Sequence, residues 1–295
     1  MHPEPIRHHY IPQFILRNFC DENNQLHYFD SQTKSISLKD TRDVFMERHL
    51  YRDNIHYASE PAKIEKDLAE YEREIAPIIK KFLLNEKDIL LTVEEEAKLK
   101  LFFAIMGFRS LNAKGCFAKD WKMLPENPVD FWKHNLGYVV NCRSIEEVLD
   151  HPDIHNAVKA IFCRDTFGYI GKHLAFVEAN DEDFFVISDV YPISTDGILP
   201  NGLPVHLYNV FPLSPKRALF VVDNGAQYAP RRILELREFL FQPPNLKEKS
   251  NVLRFRVRKL SADEVRYING EIIKHARQGV AFRSESIQLM LPQCK

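Results

Sequence analysis

At 295 residues, 45% hydrophobic and 12% aromatic, the chain carries enough apolar material for a substantial core, which excludes disorder as the default state. Its 40 basic and 41 acidic residues leave a formal charge of −1, so no global field favours nucleic acid, a membrane surface or a polyanionic partner. Five cysteines (Cys20, Cys116, Cys142, Cys163 and Cys294) are odd in number and lack any CxxC pair, which argues against a disulfide framework or a cysteine-rich zinc site and fits a reducing cytoplasm.

The chain opens on Met1-His2-Pro3-Glu4-Pro5, without the basic and apolar regions of a signal peptide, and no apolar run approaches the roughly 18 residues that span a bilayer. A soluble cytoplasmic protein is expected. After Pro12, Phe14, Ile15, Leu16 and Phe19 predict a short helix with His8-His9 just before it. Gln25 to Tyr28 and Ser35 to Leu38 read as a hairpin around a polar turn. Ser59 and Pro61 then start a long helix whose stripe is Ile64, Leu68, Tyr71, Ile75, Ile78 and Phe82, with Pro77 as a kink.

Thr92 with Glu95 reads as a capping box for a second helix through Phe108, packed antiparallel on the first. Prolines at 125, 128 and 152 cut the next stretch into pieces with one helix near Val129 to Leu136, and another helix follows from Ile154 to Gly171. His173 to Glu178 and Phe184 to Ser188 read as a hairpin; Val205 to Phe211 and Ala218 to Asp223 continue the sheet. A helix from Pro230 to Phe241, a strand from Val252 to Lys259 and a helix capped by Ser261 and Glu264 complete the pattern. The expected fold is α+β: a helical N-terminal half with an antiparallel helix pair, then a mainly antiparallel sheet with helices. It reads as a single domain over 1–295, with a helix-rich lobe to about 172 and a sheet-containing lobe from 173.

Several polar groups stand out. His8 and His9 could bind a metal, move a proton or donate to phosphate, or one could simply cap the helix while the other is solvated. Ser188-Asp189 lies where an apolar strand ends before Pro192; the alternative for Asp189 is a turn that satisfies backbone amides. No Gly-x-Ser-x-Gly elbow surrounds Ser188, so a nucleophilic serine is not indicated. Arg109 closes an apolar helix stripe and could clamp a phosphate or carboxylate, or complement the helix dipole. Glu65 and Glu72 share one helix face, as metal-binding carboxylates would, although glutamates on such a face are commonly just solvated. Arg254, Arg256 and Arg258 alternate with apolar residues and could track a phosphate backbone, or form a solvated face that discourages edge aggregation.

The opening His8-His9-Tyr10-Ile11-Pro12-Gln13-Phe14-Ile15-Leu16-Arg17-Asn18-Phe19 resembles the signature of a mainly bacterial family known as domain of unknown function 4238. Thr41 to Tyr51, Ile64-Glu65, Phe102 to Arg109, Val186 to Ile193, Asn209 to Phe220 and Asn269 to Arg283 extend the resemblance. It implies that the paired histidines are a hallmark, that an arginine belongs near Arg109, and that a Ser-Asp step followed by proline belongs at Ser188-Asp189. Where that family often has Asn, this chain has Val190.

The reading that follows is a hydrolase of the phosphodiesterase or nuclease type, whose site gathers His8, His9, Arg109 and Asp189 for acid/base, orienting and charge-stabilising roles. Whether it is an enzyme stays open. The residues specify no cofactor, a divalent metal being the candidate, and the partner would be nucleic acid or a phosphate-containing substrate. The alternatives are a non-catalytic interaction module in which these polar groups knit the N-terminal segment onto the protein, and nucleic-acid binding through Arg254, Arg256 and Arg258.

Overall fold

The structure, a computed structural model, describes residues 6–84, 87–110, 127–163, 172–198, 204–222, 245–246 and 251–283. The helix expected from Pro230 to Phe241 lies outside them. In chain order the described elements begin with β1 (Arg7–His9), α1 (Gln13–Leu16) continued by a 3₁₀ turn, β2 (Gln25–Asp30), β3 (Ile36–Asp40) and β4 (Met46–Arg48). Then come α2 (Lys63–Leu84), β5 (Asp88–Thr92), α3 (Val93–Arg109), α4 (Pro128–Val139), α5 (Ile145–Asp150) and α6 (Asn156–Cys163). The remainder is β6 (His173–Glu178), β7 (Ile187–Ser188), β8 (Ile193–Ile198), β9 (Pro204–Pro212), β10 (Arg217–Val222), β11 (Asn245–Leu246), β12 (Val252–Lys259), α7 (Ala262–His275) and β13 (Gly279–Phe282).

This corrects the α+β expectation. The chain is mixed α/β: strands and sheets fill its N-terminal part, the helices run through the middle, and the N-terminal half is not helical. The physical reason is that β1 and β4 are three residues long and find their partners far away in sequence. A period of two leaves no visible trace over three residues. The chain clusters into two compact units, each assembled from separate segments: Met1–Pro12, Phe45–Lys80 and Glu94–Ile170 in the first; Gln13–Val44, Lys81–Val93 and Gly171–Lys295 in the second.

In the first unit, β1 and β4 form a two-stranded antiparallel ribbon in which His8 faces Glu47 and His9 faces Met46. Phe45 and His49 flank β4 with φ of 52° and 57°, a left-handed conformation that side chains with a Cβ adopt at a cost. The α2 stripe Ile64, Leu68, Tyr71 and Ile75 is buried, as are Leu101, Phe102, Ile105 and Phe108 of α3. Tyr71 stacks beside Phe102 and its hydroxyl donates to the Lys98 carbonyl at 3.2 Å. Trp132 of α4 is wholly buried, and its indole N–H donates to the Phe108 carbonyl at 2.8 Å, which satisfies one of the free carbonyls at the C-terminal end of α3. Gly137 lies close against Tyr57: a Cβ at this position would run into the Tyr57 ring and hydroxyl unless that side chain moved.

In the second unit, a seven-stranded sheet runs β11-β12-β6-β10-β9-β8 with β5 also on β12, and a four-stranded sheet runs β3-β2-β13-β7. The pairings are antiparallel except β12 with β6. Phe29, Val177, Phe185, Phe220, Val280 and Phe282 build a core with Val265, Ile268 and Ile272 from α7. The capping box at Ser261 and Glu264 is formed in full.

The Phe184–Ser188 strand is only partly realised, and it does not pair with β6. The two residues of β7 pair instead with β13. Buried Asn269 on α7 explains this: its amide donates to the Phe184 carbonyl at 2.7 Å and accepts from the Val186 N–H at 3.1 Å, while the Phe185 N–H donates to the Pro215 carbonyl. Backbone groups that a ladder would have used are thereby already satisfied.

Candidate functional site

β1 delivers His8 and His9 into the interior of the first unit, with only 1% and 7% of their surface exposed. The Tyr51 backbone N–H donates to His8 Nδ1 at 2.9 Å, which makes that nitrogen an acceptor, and the imidazole stacks on the Tyr51 ring with planes 14° apart. His49, one of the left-handed residues, meets His8 edge-on at 6.3 Å between ring centroids. The pair is therefore not a solvated helix cap.

Arg109, the last residue of α3, is buried beside them at 1% exposure. Each of its three guanidinium nitrogens donates to protein: Nη1 to Glu72 Oε1 at 2.7 Å, Nη2 to the main-chain carbonyl of His9, and Nε to the Tyr51 hydroxyl at 3.3 Å. The Tyr51 hydroxyl in turn donates to the Arg109 carbonyl at 3.2 Å. Arg109 and His9 do meet, then, but through the backbone of His9. Burial alone would disfavour the guanidinium charge, yet Tyr51, Glu72 and Glu65 around it hold Arg109 protonated above its ordinary range. Burial likewise pushes the Tyr51 hydroxyl up, with Arg109 opposing.

Glu65 and Glu72 are two turns apart on α2, and their surroundings give them different states. Glu72 is salt-bridged to Arg109. Glu65 is partly exposed as a residue, but its Oε2 is shielded from solvent and has no hydrogen-bond partner among the described residues. Desolvation pushes the Glu65 carboxyl up to about 8, against the pull of Arg109 and with the repulsion of Glu72. Near neutral pH it is a carboxylic acid rather than a carboxylate. That state was not legible in a sequence where Glu65 looked like one more charge on a solvated helix face.

Asp189 belongs to the second unit, and its described partners all lie there. Its Oδ1 accepts from the Arg277 and Gly279 N–H groups at 2.9 and 3.2 Å, and its own N–H donates to the Gly279 carbonyl, so it fastens the start of β13 to the end of β7. Burial raises its carboxyl, with those amides opposing. Ser188 Oγ donates to the Val190 carbonyl, which leaves that hydroxyl in a turn. Of the four residues expected to form one site, the first unit assembles His8, His9 and Arg109 into one network, and Asp189 does separate work in the second.

Along β12, Leu253 and Phe255 point inward while Arg254 and Arg256 are exposed. Arg254 pairs with Asp88 at 2.5 Å and Arg258 with Glu264 at 2.7 Å, so two of the three guanidiniums already have carboxylate partners. Sequence reasoning also missed an Asp–His arrangement in the first unit. Buried Asp53 lies 3.0 Å from His56 Nδ1 and accepts from the amides of Ile55 and His56, and the His56 ring stacks on His134 at 3.8 Å. Burial opposes ionisation of Asp53, but those hydrogen bonds overcome it and hold its carboxyl below the usual range. The D-x-x-H spacing of Asp53 and His56 was the available signal.

No group of three or more His, Cys, Asp or Glu among the described residues is placed to hold a metal ion. No helix among them is long and apolar enough to cross a membrane. Fold and site together define a mixed α/β protein of two units, the first enclosing a buried His–Tyr–Arg–Glu network. The family model described as protein of unknown function (DUF4238) matches residues 7–286, and the chain belongs to that family. Neither a curated protein nor a solved structure matches it.

Proposed function

We propose that the protein is a hydrolase whose acid/base site lies in the first unit, with Glu65 as the proton donor. The observation that carries this reading is the pair of carboxyls on one face of α2 around a single buried arginine, one salt-bridged and the other held neutral. A carboxyl that burial holds protonated beside a fixed cation marks the acid in many enzymes. A neutral Glu65 can protonate a departing oxygen, which suits ester or phosphodiester cleavage, the phosphodiesterase or nuclease type being the first to test. Arg109 is committed to protein acceptors, so its part is to position Glu72, Tyr51 and the His9 backbone rather than to grip substrate. The left-handed Phe45 and His49 beside this network add support, because such costly conformations concentrate at functional sites.

A second reading rests on its own observation. All three Arg109 nitrogens bond to protein and His8 Nδ1 is taken by the Tyr51 amide, as a buried network that only holds β1 in place would require. Glu65→Gln separates the two, since it keeps the size and neutrality of the protonated acid but cannot give up a proton to a leaving group. As an enzyme, the Gln variant should fold at least as stably as wild type and lose at least about a hundredfold in turnover of RNA, DNA or small phosphodiesters. A wild type inert toward that panel, with magnesium, manganese or zinc supplied, would favour the module.

A further inference from the structure

A cavity of about 380 Å³ in the second unit has a lining that neither Glu65 nor its neighbours share. Its polar wall consists of Asn18, Glu178, Ser214, Lys216, Arg217 and Arg283, three cations against one carboxylate in a chain whose formal charge is −1. The groups differ in how far they are committed. Lys216 is spent: its ammonium donates to the carbonyls of Asn180, Asp181 and Asp183 at 2.7 to 2.9 Å and sits 3.9 Å above the centre of the Phe184 ring. Arg217 is buried, ion-paired with Glu178 at 3.3 Å and set over the Phe82 ring. Arg283 is exposed and makes no hydrogen bond or ion pair among the described residues.

The frame is rigid. Ser214 to Lys216 form the turn between β9 and β10, where Ser214 Oγ accepts from the amides of Lys216 and Arg217 at 3.2 and 3.0 Å and keeps its own proton to donate. The same turn is fastened through the Pro215 carbonyl to the Phe185 N–H and through the Lys216 carbonyl to the Ala179 N–H. Asn18 reaches it from the N-terminal signature, its amide donating to the Leu213 carbonyl at 2.8 Å. Donors held in place before a ligand arrives lose little entropy on binding.

We propose that this cavity binds a small ligand through an anionic oxygen group, a phosphate or a carboxylate, held by Arg283 and the Ser214 hydroxyl with the positive field of Arg217 and Lys216 behind them. A guanidinium matches both oxyanions bidentately, so the shared chemistry is the anionic group itself. The proposal is independent of the acid/base site, which lies in the other unit, so either can fail alone.

The test is calorimetric titration of the full chain with inorganic phosphate, a nucleoside monophosphate and citrate, comparing wild type, Arg283→Glu and Arg256→Glu. Arg256 is the control, an exposed arginine of the same unit with no hydrogen bond or ion pair among the described residues. Wild type should bind at least one probe, Arg283→Glu should weaken it by at least about tenfold, and Arg256→Glu should leave it unchanged. Saturation by phosphate or the monophosphate but not citrate assigns a phosphate ligand, and the reverse assigns a carboxylate. Should Arg283→Glu fold poorly, Arg283→Gln serves in its place with the same expected direction. No binding of any probe, binding indifferent to Arg283, or equal losses in the Arg256 variant would overturn the proposal.

Discussion

Glu65→Gln should change how stability depends on pH, in a direction the buried cluster fixes. The folded carboxyl titrates at about 8 and the unfolded one at 4.5, so between those values the native state holds a proton that the unfolded chain has released. Stability contributed by the neutral acid is therefore fully present below pH 4.5 and declines as pH rises, until the folded group itself ionises at about 8. A difference of 3.5, which is 8 less 4.5, corresponds to about 5 kcal/mol across the window. Gln carries no titrating proton, so the variant lacks this decline. The assay is guanidinium unfolding of both proteins at about pH 5, 7 and 9, followed by tryptophan fluorescence, with the midpoints compared. Wild type should lose stability relative to the variant with each step up in pH. Parallel curves, within about 1 kcal/mol throughout, would mean that Glu65 is ionised in the native state and the reasoning about its desolvation is wrong.

Arg109→Met should cost about 2–4 kcal/mol in chemical denaturation, because it leaves the His9 carbonyl and the Tyr51 hydroxyl without their donor in the interior and takes the ion pair from half-buried Glu72, and it should raise the Glu65 carboxyl further by removing the cation that pulls it down. Asn269→Ala should lower unfolding free energy by about 2–3 kcal/mol, since the Phe184 carbonyl and the Val186 amide both lose their partner; a change within about 0.5 kcal/mol would show that those groups find others. Gly137→Ala should destabilise by about 1–3 kcal/mol through collision with the Tyr57 ring, and the Tyr57→Leu background should recover most of that loss in a double-mutant cycle.

The elements that were legible in the sequence are those whose signals are local. Ser261 with Glu264 announced α7, the alternation of Leu253 and Phe255 with arginines announced β12, and His173 to Glu178 stood out as β6. β5 was missed because Ile89, Leu90 and Leu91 run straight into α3, while their partner β12 is over 150 residues away. β13 was missed for a similar reason, its four residues being defined by β2 and β7 rather than by any period of their own. The site was half legible. Residue type singled out His8, His9 and Arg109, but burial, which no single sequence displays, turned Arg109 from a phosphate clamp into a committed ion pair and Glu65 from a surface charge into a neutral acid.

The claim that the first unit holds a neutral acid is tested most directly by titrating Glu65 itself. Carbon-13 NMR of the protein labelled at glutamate side-chain carboxyls, with Glu65→Gln identifying the resonance, reports its protonation without any assumed substrate. The account predicts a midpoint near 8 that moves up in Arg109→Met. A Glu65 resonance titrating at about 4.5, the ordinary glutamate value, would contradict it.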